Sequence, residues 1–75
     1  MTNVYVEPRP KARAEHEPIA YYVLEHANDA PVAGAQPSYQ TQALAVADAK
    51  RLGYQPLVAR VRVTDKGRPD HWRSA

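Results

Sequence analysis

Cysteine is absent from the 75 residues, and glycine occurs only three times. Without Cys there is no disulfide to staple a small fold and no thiolate to hold a metal. Its absence also fits a reducing, cytoplasmic setting. Gly34, Gly53 and Gly67 stand far apart, which excludes a glycine-rich phosphate-binding loop. No apolar run approaches the roughly 20 residues that a membrane-spanning helix needs. The opening Met-Thr-Asn-Val-Tyr-Val-Glu has neither the basic start nor the apolar stretch of a secretory signal. These absences together predict a soluble, cytoplasmic protein with no membrane partner.

What is present fits one domain over residues 1–75, with a core that is small for its surface. Self-association is one remaining way for so short a chain to gain buried area. The formal net charge of +2 hides an asymmetry. Residues 1–37 carry three basic against five acidic side chains, and residues 38–75 carry seven against three. Such polarity can steer an acidic partner or let two copies pair head to tail.

Val4 and Val6 flank Tyr5 in a period-2 pattern that predicts a strand over residues 3–7. From Glu7 to Pro18 there is little to bury and three prolines, so residues 7–18 are expected to form a mobile, exposed loop. Ile19 to Glu25 reads as a second strand, with Ile19, Tyr21 and Val23 on one face and Ala20, Tyr22 and Leu24 on the other. Asn28-Asp29 signals a turn, and Pro31 to Ala35 a weak third strand. Thr41 suits a helix N-cap, and the alanine-rich Gln42 to Leu52 suits the helix, closed by Gly53. Ala45, Val46, Ala49 and Leu52 form its apolar stripe, with Leu44 toward the edge. A last long strand is expected with Leu57, Ala59, Val61 and Val63 buried against the helix and Arg60 and Arg62 turned away. Asp65-Lys66-Gly67 then makes a turn with glycine free to take positive φ, and the tail from Arg68 returns along an edge set by Pro69. The fold class is therefore α+β: an antiparallel sheet of three to four strands with one helix packed on one face.

The stretch TQALAVADAKRLGY resembles the middle of a family of short bacterial proteins of unknown function. Val4 to Pro8, Thr41, Ala45, Ala49 and Gly67 are the matching features. The stretch 9–17 and the PDHW tail depart from that family's pattern. The resemblance implies a compact α+β fold, and it carries no activity and no site residues.

Catalytic and metal chemistry find little purchase. His16, His26 and His71 lack the spacing that places two ligands on one face of an element, so no metal and no cofactor is expected. Ser38 and Ser74 lie in loop and tail without a glycine-rich elbow, so no nucleophilic enzyme is expected either. Arg60 and Arg62 share a strand face about 7 Å apart, given the rise of a strand. With Lys66, Arg68 and Trp72 they make a candidate face for an acidic partner, charge for phosphate and a ring for stacking. Ala20, Tyr22 and Leu24 make a candidate self-association face on the second strand. The resulting expectation is a small non-enzymatic binding or interaction module, able to form a homodimer. The alternative is an accessory nucleic-acid-binding domain using the basic strand face.

Overall fold

A computed structural model describes residues 2–75. The strands are β1 (Asn3–Arg9), β2 (Tyr21–Glu25), β3 (Gln55–Ala59) and β4 (Trp72–Ser74). One helix, α1 (Gln42–Arg51), joins β2 to β3, and a single 3-10 turn over Pro69–His71 precedes β4. The four strands form one sheet in the order β2-β1-β3-β4. β1 and β2 pair antiparallel, as do β3 and β4, but β1 and β3 run parallel. The expected α+β architecture with one helix is present, on a sheet that is mixed rather than wholly antiparallel. The parallel pair follows from connectivity: β2 and then the helix intervene, so β3 re-enters on the far side of β1 in the same direction.

Alternation along β1 sets the two layers. Val4 and Val6 point under the helix and meet Leu24, Val58, Ala45 and Ala49. Val32 and Tyr39, from the connection between β2 and α1, complete this core. Ala45 and Ala49 are fully buried, which lets the helix axis approach the sheet closely. Thr41 caps the helix, its Oγ1 accepting from the Leu44 N–H at 3.1 Å. Gly53 takes the positive φ of 88° that ends it. Leu44, at the edge of the apolar stripe, is exposed.

Several boundaries differ from the sequence expectation. β1 runs on through Glu7, Pro8 and Arg9, so the loop begins at Pro10 rather than at residue 7. Pro31 to Ala35 is no strand; Pro31 makes an isolated bridge to Glu25, and Val32 is drawn into the core. β3 stops at Ala59, and its phase is the reverse of the one expected. Pro56 and Val58 face the helix, whereas Leu57 and Ala59 are only half-buried on the other side. Gly67 sits in the Asp65–Arg68 turn without positive φ, its N–H instead donating to Asp65 Oδ1 at 2.8 Å. The return of the tail as an edge strand is present as β4.

The second face of the sheet is covered by chain rather than by a helix. Residues 60–71 fold back across it: Lys66 Nζ lies 5.6 Å from the Tyr5 ring centroid, and Trp72 packs edge-on to Tyr5 at 4.8 Å. The Trp72 Nε1–H donates to the Asp65 carbonyl at 3.1 Å, fixing this segment to β4.

Candidate functional site

The five residues read as one basic face do not lie on one face. Arg62 is only 7% exposed. Its Nε donates to the Glu17 carbonyl at 2.9 Å, and Nη2 to the carbonyls of Pro10 at 2.6 Å and Pro18 at 2.9 Å. The Glu15 carboxylate in turn accepts the N–H groups of Arg62 at 2.7 Å and Val63 at 2.8 Å. Those two bonds hold the Glu15 carboxyl below the usual carboxylate range. Residues 10–18 are thus fastened to the body through Arg62 and Glu15.

Lys66 is spent in a different way. Its Nζ donates to Glu7 at 2.7 Å, Glu25 at 2.9 Å and Asp29 at 2.7 Å. Burial pulls the ammonium pKa down, but the bonds to Asp29, Glu7 and Glu25 outweigh it and hold Lys66 above its ordinary value. Glu7 is buried too, and it accepts the Thr64 hydroxyl at 2.7 Å. Trp72 is buried, and Arg68 stands exposed with its Nε 3.5 Å from the equally exposed Asp70 carboxylate. Of the five, only Arg60 and Arg68 carry charge to solvent, because carbonyls and carboxylates of the first half of the chain claim the other cations.

The candidate self-association face is also divided. Leu24 is 3% exposed and lies beneath α1 in the core, so it has no area left to give a second copy. Tyr22 is half-buried against that core and exchanges backbone hydrogen bonds with Tyr39 at 2.8 Å each way. Only Ala20 is exposed, its N–H donating to the Arg9 carbonyl at 2.7 Å. The helix took the face that the strand pattern had assigned to a partner.

What the fold assembles instead is a cleft of about 410 Å³. Because α1 runs antiparallel to β3, its N-terminus lies above the carboxyl ends of the parallel pair β1 and β3. Pro8, Ala59 and Val61 come from the strand ends, Gln42 from the helix start, and Glu15, Glu17 and Ile19 from the fastened loop. Tyr22, Arg60 and Arg62 complete the lining. Open α/β sheets place ligands at just such carboxyl ends. Ile19 is 43% exposed here, and no acidic side chain sits in the first turn of α1. Both carboxylates of the cleft already serve backbone N–H groups: Glu15 as above, and Glu17 for Arg13 and Ala14 at 2.9 Å each.

Two further depressions carry less. One is lined by Tyr39, Leu44, Asp48 and Arg51 on the outer side of α1. There the Tyr39 hydroxyl, bonded to Asp48, is raised above its ordinary pKa by burial and by that carboxylate. The other, of about 660 Å³, is lined by Lys66 and by its partners Glu7 and Asp29, which are already paired with the ammonium. The histidines stand apart: His16 is exposed, His26 lies edge-on to Tyr54 at 5.6 Å, and His71 Nδ1 accepts the Asp65 N–H at 3.0 Å. Glu15, Glu17, Ile19 and Gln42 were missing from the sequence reading of the site. The only signal for them was an acidic, proline-rich loop in a chain with surplus arginine downstream. No family model, curated protein or solved structure matches the chain. Its class is defined by the fold alone, a small α+β domain with one helix on a four-stranded mixed sheet.

Proposed function

We propose that this chain is a small non-enzymatic binding module, and that it takes its partner in the cleft at the carboxyl ends of β1 and β3. The observation that carries the reading is the meeting there of three features: the start of α1 with no acidic residue in its first turn, the exposed Arg60 and the apolar surface of Ile19. Polar groups converging on a partly apolar concavity of this size are the usual form of a binding site. Both oxygens of Glu15 and one oxygen of Glu17 are engaged with backbone N–H groups, which favours a structural over a catalytic use of these carboxylates. Self-association is compatible with this reading through Ile19 and Tyr21, both exposed, rather than through Leu24.

The test is a small-fragment screen read by amide chemical shifts on the full chain. Shifts concentrated on Ile19, Tyr22, Arg60 and Val61 are expected. Hits concentrated on Leu44 and Arg51 would move the site to the outer side of α1, and no cleft response would remove the reading. Light scattering with and without a single-stranded oligonucleotide at low salt checks the nucleic-acid alternative, whose binding should weaken steeply with added salt.

A further inference from the structure

We propose that β4 is a docking edge, which takes an extended acidic segment of a partner protein as a fifth strand beside Arg73. This surface goes beyond the cleft reading, and it stands whether or not the cleft binds a ligand.

The edge is the first observation. The sheet order leaves β2 and β4 outermost. The outer side of β2 is closed from within the chain: Tyr22 exchanges backbone bonds with Tyr39, and the Leu24 carbonyl accepts the Val32 N–H at 3.3 Å. β4 has no such cover. The Arg60 N–H donates to the His71 carbonyl and the Ala75 N–H to the Pro56 carbonyl, which fixes the phase of the β3–β4 ladder. Arg73 therefore turns its backbone groups toward β3, and Trp72 and Ser74 turn theirs outward. The Trp72 N–H is taken by the Pro69 carbonyl. The Trp72 carbonyl and both backbone groups of Ser74 have no partner among the described residues. An open row of this kind is a template for another strand.

Charge selects the strand, and it is an independent observation. Arg73 pairs with Val58, so its side chain stands on the helix side of the sheet, where it is exposed. Lys50, also exposed, follows Gln42 and Val46 at every fourth position, on the flank of α1 away from Leu44 and Arg51. Gln42 lines the cleft with Ala59 and Arg60, so that flank faces the β3–β4 side of the sheet. Neither Lys50 nor Arg73 makes an ion pair among the described residues. These unpaired cations beside an open edge complement a segment with carboxylates on alternate residues. A second copy fits poorly, because the antiparallel register that matches β4 residue for residue sets Arg73 against Arg73. A nucleic acid fits poorly too, since Trp72, the ring that would stack on a base, is buried.

The ladder also fixes how the occupant lies. Its residues opposite Trp72 and Ser74 make the edge bonds. The residue opposite Arg73 sits in a pair without backbone bonds, where cross-strand side chains come closest.

The experiment titrates the ¹⁵N-labelled full chain with a blocked peptide that alternates glutamate with valine, and with its lysine–valine counterpart. The acidic peptide should shift the Ser74 amide saturably, with a Kd of about a millimolar, and slow its exchange with solvent. The lysine peptide should bind roughly tenfold more weakly. Arg73→Glu, at an exposed position, should reverse that order. N-methylation of the peptide's valines, whose N–H groups face β4, should abolish binding, and N-methylation of its glutamates should not. Equal binding of the two peptides, or binding that survives methylation of the valines, would overturn the docking edge. A Ser74 shift that grows with protein concentration in the absence of peptide would put a second copy there instead. A tighter response of Ser74 to a single-stranded oligonucleotide would replace the protein segment with a nucleic acid. No saturable shift with either peptide would overturn the proposal and leave Arg73 as a guard on a short edge.

Discussion

Arg60 and Arg62 stand two positions apart, and one is solvated while the other is locked behind three carbonyls. Replacing the buried guanidinium strips hydrogen bonds from Pro10, Glu17 and Pro18 at once. Arg62→Met should therefore cost about 2–3 kcal/mol in urea unfolding, and it should open residues 10–18 to protease. Arg60→Gln should change stability by no more than about 0.5 kcal/mol, as exposed substitutions do. Equal effects at the two positions would mean that the loop is not held by Arg62. Glu15 gives a matching pH dependence. Its folded pKa is depressed, so its contribution is present above the ordinary carboxylate value and is lost as pH falls through the folded one. The Arg62 and Val63 amides should thus lose exchange protection below about pH 4, and Glu15→Gln should bring that loss to neutral pH.

At the scale of elements, helix and covering segment are held by different physics. α1 is fixed by shape, through Ala45 and Ala49 against Val4, Val6 and Val58. Ala49→Leu should destabilise by about 1–3 kcal/mol, the usual cost of overpacking; no loss on denaturant titration would put residue 49 in water. The segment 60–71 is fixed by charge, through Lys66 and its three carboxylates. Lys66→Met should cost about 3 kcal/mol, because it leaves the buried Glu7 without its ammonium. Lys66 is raised in the folded state, so its contribution is whole below the ordinary lysine value and fades as pH climbs through the folded one. Alkaline loss of stability should begin above about pH 10 in the wild type, and Lys66→Met should lack that limb in the same titration. The helix, its Thr41 cap and its Gly53 end were legible in sequence because each depends on neighbours within a few residues. The cover over the second face was not, since Lys66 meets Glu7 across 59 residues.

Across the whole molecule, the acidic first half and basic second half close on each other. Glu7, Glu25 and Asp29 meet Lys66, and Glu15 meets the backbone of Arg62 and Val63. Part of the asymmetry that looked like a handle for a partner is consumed in folding, through Lys66 and Arg62, while Lys50, Arg60, Arg68 and Arg73 stay exposed. Raising salt should lower the stability of the wild type slightly, through the exposed pair Arg68–Asp70 and the solvent-facing Lys66–Asp29 pair. The Lys66 pairs with Glu7 and Glu25, both largely shielded from water, should respond little. A steep salt dependence of the unfolding midpoint would show that the network is open to water.

The residues alone determined what is local and periodic: an α+β chain, the alternation of β1, and the capped alanine helix with its buried face. Each is set by sterics and hydrogen bonds between near neighbours, and those act the same wherever the segment sits. Only the tertiary structure decided the parallel pairing of β1 with β3, the phase of β3, and which arginine would be buried. Both faces of β3 offered apolar side chains, Leu57 and Ala59 against Val58, so alternation could not say which one the helix would take. Once Pro56 and Val58 went under α1, Arg62 fell within reach of the carbonyls of a loop more than forty residues away, and the candidate cleft formed between them.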